Sequence, residues 1–187
     1  MPHDASLNDR RPRIYLAGPD VFFRDSEAVF HRLLAACERL GMVGVPPSDG
    51  GLSAGFAGSD DALAQRIYDG NVALIRSADG VIANLASFRG HEPDSGTAFE
   101  VGFAAALGKP VVAYNVPGQT YAQRVSAAIA CERDASGVLR ECASGTMVEG
   151  LGQRLNLMLT RSAHVAVSAE EALALLAHKL HARAHTA

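Results

Sequence analysis

The sequence predicts an α/β domain, a doubly wound five-stranded parallel sheet with helices on both faces. Three observations predict it. Short β-rich segments alternate with segments of helical spacing, the pattern of right-handed βαβ crossovers. One strand candidate, residues 80–85 ("GVIANL"), is continuously apolar, as a parallel strand covered on both faces is. The breakers Gly18-Pro19, Gly41 and Gly108 fall at the junctions between segments.

The elements follow in order. Residues 1–12 read as a ragged tail and residues 13–187 as one domain. "RIYLA" (13–17) is the first strand, ended by Gly18-Pro19. Residues 25–40 carry Val29, Leu33, Leu34 and Cys37 as a helical apolar stripe that stops at Gly41. "MVGVP" is a short second strand. The Gly/Ser/Asp-rich stretch "PSDGGLSAGFAGSDD" is a loop long enough to suspect function. Ser59, Asp60 and Asp61 offer caps for a helix over residues 61–77. "GVIANL" is the third strand and "ASFRGHEP" a second long loop. The stretch "DSGTAFEVGFAAALGK" follows as a helix apolar on nearly every face, and so expected to be buried. "KPVVAYN" is the fourth strand. Residues 116–149 show no regular pattern. "VEGLGQRLNLMLTR" should contain a helix, and "AHVAV" is the fifth strand. "SAEEALALLAHKLHARA" closes the chain as a helix opened by a Ser168/Glu171 capping box. Five strands in this order fit a flavodoxin-like doubly wound domain. Such sheets hold ligands at the carboxyl ends of the strands, near the topological switch point. "AGPDVFF", "PSDGG" and "SFRGHEPDSGT" therefore gather around one pocket.

Composition narrows the function. Of 187 residues, 48% are hydrophobic and 20% charged, enough for a sizeable core. The net charge of −3, without a basic run, carries no nucleic-acid footprint. No apolar run approaches the ~20 residues that span a bilayer. "MPHDASLNDRRPR" has no apolar signal core, so a cytoplasmic location is expected. Cys37, Cys131 and Cys142 form an odd, sparse set that suits a reducing compartment. None has CxxC spacing, which argues against zinc. His178, His181 and His185 share their helix face with no carboxylate or Cys and read as a solvated end. No metal and no cofactor is implied.

The first βα turn has one glycine, Gly18, where a dinucleotide fingerprint needs three, and there is no P-loop. The chemistry lies elsewhere. Glu100 is the lone carboxylate in the first two turns of an apolar helix. The helix N-terminus favours its charge by roughly 0.3–1 kcal/mol. Phe99, Val101 and Phe103 oppose it by desolvation. A carboxylate kept ionised with few waters serves as a nucleophile or base. The same spacing also fits a Glu that merely complements the helix dipole. Asp94, six residues earlier, fits an N-cap or the second member of an acid–base pair. Tyr15 reads by itself as an aromatic at the core's edge.

Taken together, "IYLAGPDVFF", "IRSADGVIANLASFRGHEPDSGTAFEVGFAAALGKPV" and "VEGLGQRLNLML" resemble the nucleoside 2-deoxyribosyltransferase family, over roughly residues 13–180. The likeness is strongest in the subgroup with an extended "FRGHEPD-GTAFE-G" segment. Its core is D-x-G-x-x-x-E-x-G (Asp94, Gly96, Glu100, Gly102), joined by Asn-Leu-Met at residues 156–158. The resemblance implies that Glu100 attacks C1′ of a deoxyribosyl group and that a second base then attacks the glycosyl ester, with net retention. It implies that Tyr15 orients Glu100 and that Asp94 contacts the base or the sugar 5′ side. Gly18, Phe22, Asn71 and Gly96 would line the substrate pocket. Phe22 would stack on the base, although core packing explains it equally well. Asn156 and Met158 would reach a neighbouring subunit's site in a homo-oligomer. The implied partners are small 2′-deoxynucleosides and free nucleobases, with a lean towards purines.

Two departures stand out. Many relatives carry Asp eight residues before the Asp that precedes strand three; here that place is Asn71, which hydrogen-bonds a base but donates no full proton. Protonation of the leaving base then falls to Asp94 or water. Where relatives place Asn and then Gln or Glu after the Pro-x-Asp, Gly50 and Gly51 stand here. Two other functions fit the same residues: a 2′-deoxynucleoside 5′-monophosphate N-glycosidase and a non-enzymatic nucleotide-binding module. Against the first, "AGPDVFFRD" lacks a phosphate cradle and Asp20 would repel a phosphate. Against the second stands the joint presence of Tyr15, Asp94, Glu100 and Asn156.

Overall fold

The computed structural model describes residues 11–49 and 51–184, so the reading of residues 1–10 as a tail, and those of Gly50 and His185, fall outside the described residues. Strands β1 (Arg13–Ala17), β2 (Val43–Val45), β3 (Gly80–Asn84), β4 (Val111–Tyr114) and β7 (His164–Val165) form one sheet. Its order is β2-β1-β3-β4-β7 and every pair is parallel. This is the predicted fold class. β1 lies between β2 and β3, so the chain leaves it in one direction and returns on its other side. That reversal is the switch point.

Alternation along β1 distributes its side chains. Ile14 and Leu16 join Leu33 and Cys37 of α1 (Ser26–Arg39) and Leu173 and Leu176 of α6 (Ala169–Ala184) in one core. Tyr15 and Ala17 face the other way. They pack with Ile75 of α2 (Asp60–Ser77) and with Val101 and Ala104 of α3 (Ser95–Ala106). On α3 the buried Thr97, Val101 and Ala104 mark the stripe turned to the sheet. Glu100 lies on that stripe, three residues after Thr97 and four before Ala104. β1 and α3 therefore bring Tyr15 and Glu100 together at the top of the sheet.

Several expectations need correction. α3 is not buried all round: Phe99 is 48% exposed and Leu107 38%. Leu34 of the α1 stripe is likewise exposed, whereas Leu33 and Cys37 are buried. Residues 116–149 are not irregular. They hold α4 (Tyr121–Ala128), opened by a Thr120/Gln123 capping box, and an antiparallel pair, β5 (Cys131–Arg133) and β6 (Leu139–Glu141). The turn between β5 and β6 is organised by Asp134, which accepts from Ser136 N, Val138 N and Arg140 Nε. The helix expected in "VEGLGQRLNLMLTR" is a short one, α5 (Leu157–Ser162). At α6, Ser168 Oγ accepts from Glu171 N, but Glu171 returns its bond to Val167 N and not to the Ser168 amide. Asp79 sits at the amino end of β3, accepting from Arg13 N, which fits a structural role. Among the described residues no helix is long and apolar enough to cross a membrane.

Candidate active site

A cavity of about 420 Å³ opens at the carboxyl ends of β1 and β3, beside the first turns of α3. Gly18, Phe22, Asn71, Asp94, Gly96 and Glu100 all line it. Asp49 and Ser48 from the loop after β2 complete its polar wall, and Val21, Leu52 and Ile67 its apolar one. Tyr15 Oη donates to Glu100 Oε1 at 2.5 Å from beneath. Tyr15 is fully buried. Burial, the Glu100 charge and the hydrogen bond all raise its pKa, so the proton stays on the phenol. Burial pushes the Glu100 carboxyl up to about 7, Tyr15 pulls it down, and the neighbouring Asp94 charge pushes it up again. The pair is a poised carboxylate with a fixed neutral donor, directed into a partly apolar cavity.

Asp94 is the N-cap of α3: its Oδ2 accepts from Thr97 N at 2.8 Å and from Thr97 Oγ1 at 3.0 Å. The capping role and a place on the cavity wall are thus both true of it. Asn71 Oδ1 accepts from Ser48 N at 2.6 Å, which ties the second helix to the loop after β2 at the cavity wall. A Cβ on Gly18 would stand 2.4 Å from Asp20 Oδ2 and 2.8 Å from Asn84 Cβ, so no side chain fits there. Phe22 does not pack in the core. It is 60% exposed on the cavity rim, stacked on Phe88 with centroids 5.5 Å apart, and Arg89 covers both rings.

Asp20 does not stand where the phosphate argument needs it. It is buried, accepts from Asn84 Nδ2 at 3.0 Å, and lines a separate cleft beside Tyr114. Burial raises its pKa. Asn156 and Met158 are not among the residues that line the cavity within the chain. Asn156 caps α5 through Met158 N and donates to Glu149 Oε2 at 3.0 Å, while Met158 is 67% exposed. Sequence reasoning placed the segments of Ser48, Phe88 and Arg89 at the pocket without naming these residues, and it missed Glu149. Each acts through a backbone bond or ring contact that leaves no periodic trace. Among the described residues no group of three or more His, Cys, Asp or Glu could hold a metal ion.

The family model for nucleoside 2-deoxyribosyltransferases matches residues 14–158, which takes in β1 from Ile14 onward, the cavity-lining residues and the Asn-Leu-Met element. The chain belongs to the nucleoside 2-deoxyribosyltransferase family. A solved 2-deoxyribosyltransferase from Leishmania mexicana is 30% identical, with a TM-score of 0.67 over 89% of this chain and 97% of that one. One from Bacillus psychrosaccharolyticus shares the fold at 21% identity and a TM-score of 0.55, covering 84% of this chain and 87% of its own. An uncharacterized protein of Schizosaccharomyces pombe is 35% identical over 117 residues, 61% of this chain and 54% of that protein. The deoxyribosyltransferase-like chain thus spans about half the length of this curated relative.

Proposed function

We propose that the chain is a nucleoside 2-deoxyribosyltransferase exchanging the base of 2′-deoxynucleosides without metal or cofactor. A Glu100 oxygen attacks C1′, the bond from C1′ to the base nitrogen breaks, and its electron pair leaves with the base. Asp94 or water supplies the proton that neutralises the departing base, since Asn71 only hydrogen-bonds it. The deoxyribosyl ester of Glu100 is then attacked at C1′ by a nitrogen of the acceptor base, which gives up its proton as the carboxylate is released. Two inversions leave the configuration retained. Without an acceptor base, water attacks slowly and the outcome is hydrolysis. One observation carries the reading: the Tyr15–Glu100 hydrogen bond inside a cavity that Asp94 and Asn71 also line. Substrates are free 2′-deoxynucleosides and nucleobases, used in purine salvage, and the site is completed by a neighbouring subunit in a homo-oligomer.

The preference for nucleosides over 5′-monophosphates stands on different residues from those first expected. Asp49, Asp94 and Glu100 line the cavity, and among the described residues no Lys or Arg lines it, so a phosphate dianion would enter a field of its own sign. The monophosphate N-glycosidase remains the second reading because Arg89 lies over the Phe22 ring at the rim. The test is incubation with deoxyinosine and adenine, with chromatography for deoxyadenosine, then repetition with deoxyinosine 5′-monophosphate and with inosine. Deoxyadenosine should form, and both other donors should be poor; for inosine the reason is the 2′-OH crowding the attack path. A higher kcat/KM on the monophosphate would reverse the order of the two readings.

A further inference from the structure

Arg124 touches nothing in the cavity, yet it is the point at which three loops meet. Its Nη1 donates to Gln119 O at 2.8 Å and to Arg154 O at 2.7 Å, and its Nη2 donates to His91 O at 3.0 Å. Its Nε is buried with no hydrogen-bond partner. A buried orphan N–H is costly, so this placement of the guanidinium is enforced by the bonds at its other end.

Two of the three segments held this way lead to candidate-site residues. His91 belongs to a turn closed by Phe88 N donating to Glu92 O at 2.9 Å. At one end of that turn Phe88 stacks on the cavity-rim Phe22, and just beyond its other end Asp94 caps α3. Arg154 stands two residues before Asn156. The Asn156 side chain is in turn held by Glu149, whose other oxygen accepts from Leu157 N at 2.8 Å. Tyr121 N donates to Gln153 O at 2.9 Å, so α4 is fastened to this segment at a second point. The charges agree with the geometry: burial raises the Glu92 carboxyl, Arg124 lowers it, and Glu149 raises it. The Arg124 cation thus sits within reach of the Glu92 carboxyl.

We propose that Arg124 is a positioning residue for the transfer reaction. It holds the turn carrying Phe88 and leading to Asp94 in fixed register with the segment carrying Asn156. The planar guanidinium presents its donors in a rigid fork that meets three carbonyls at fixed angles, a geometry that a lysine ammonium on a flexible stem reproduces poorly. The proposal rests on the transferase reading for its kinetic consequence but not for its structural one, so two experiments separate them.

Hydrogen exchange on Arg124→Ala should show faster exchange at residues 86–94 and 153–157, with the sheet core unchanged. Unchanged exchange in both segments overturns the proposal whatever the protein's activity. In the transfer assay Arg124→Ala should raise KM for the deoxynucleoside or lower kcat/KM by about tenfold to a hundredfold, as small misplacements do. Added ethylguanidinium should restore part of that loss, and Arg124→Lys should lie between the two. A merely structural arginine would lower melting temperature without such rescue. Folded Arg124→Ala with wild-type kinetics, or a loss that guanidinium never repairs while circular dichroism shows unfolding, overturns the proposal. Absence of transfer by the wild-type protein would fall on the transferase reading instead, leaving the exchange result to decide the role of Arg124.

Discussion

Glu100 has two opposed requirements. A nucleophile must be ionised, yet burial raises its pKa from 4.5 to about 7. The hydrogen bond donated by Tyr15 works against burial. Two outcomes follow from the signs. First, kcat/KM for deoxyinosine should rise with pH through about 7 as the reactive carboxylate is populated, and level off above it. Tyr15→Phe should move that midpoint upward and lower the plateau, because the hydrogen bond that lowers the Glu100 pKa is gone. A profile already flat between about pH 5 and 8 contradicts a poised Glu100. Second, the folded state holds the Glu100 proton more tightly than the unfolded chain does. Its contribution to stability is therefore complete below 4.5 and is lost as pH rises to about 7. Glu100→Gln keeps the shape and never ionises. It should be inactive yet more stable than wild type at about pH 8, by a few kcal/mol at most, with the gap closing as pH falls towards 4.5. Glu100→Ala should lose transfer by several powers of ten while staying folded, since Ala is the best helix former. Retention of more than about a tenth of the rate, a loss of roughly 1.4 kcal/mol or less, would leave Glu100 with the dipole role alone.

At the scale of elements, the proposed function assigns substrate affinity to the rim formed by the first βα turn and the loop after β3. Phe22 projects from a 3₁₀ turn, Pro19–Phe22, and is steadied by Phe88. Phe22→Ala should raise KM for deoxynucleosides by a factor matching about 1–3 kcal/mol of base stacking, with kcat changed less. Phe22→Tyr should behave as wild type, and an unchanged KM in Phe22→Ala would remove the stacking role. The elements that build this rim were legible in the sequence because each has a strong local signal. β1 and β3 are apolar and bounded by glycines or long loops, α1 and α2 carry stripes and caps, and α3 begins at a capping Asp94. What was not legible lies where those signals are short or reach across the chain. α4 has eight residues, β7 two, and β5–β6 is a half-exposed hairpin whose charged residues do not alternate with apolar ones. Glu100, Asp94 and Tyr15 could be named in advance because a carboxylate on an apolar helix is anomalous and a known family pattern surrounds it. Arg124 and Glu149 could not, because they act on backbone groups whose identity the sequence does not encode.

At the scale of the whole molecule, the anomaly is the outer face of α3. Its sequence is that of a buried helix, yet within one chain Phe99 and Leu107 are exposed and Phe103 is only half-buried. Tyr68 of α2, itself 51% exposed, continues the patch: its ring lies 6.0 Å from Phe99, which stacks on Phe103 at 5.9 Å. Gly102 sits on the same exposed surface, where an added Cβ would meet nothing within 4 Å. A mid-helix glycine costs about 1 kcal/mol relative to Ala, and no contact within the chain explains it. Close approach by a second copy of α3 would explain both the glycine and the uncovered aromatics. It would also give Asn156 and Met158, which do not line their own chain's cavity, a neighbouring cavity to complete. Gly102→Leu tests this with little risk to the fold, because the space is open in one chain and Leu favours helix. Light scattering should find wild type as a dimer or larger and Gly102→Leu as a smaller, still helical species with reduced transfer. If oligomer size is unchanged in Gly102→Leu, the interface lies elsewhere. A monomeric wild type at assay concentration would remove the shared site altogether. Sharing itself is read by mixing inactive Glu100→Ala with inactive Asn156→Ala under subunit exchange. A hybrid pairs the intact Glu100 of one copy with the intact Asn156 of the other, so activity should return. Its failure to return, with exchange confirmed, would mean that each chain completes its own site.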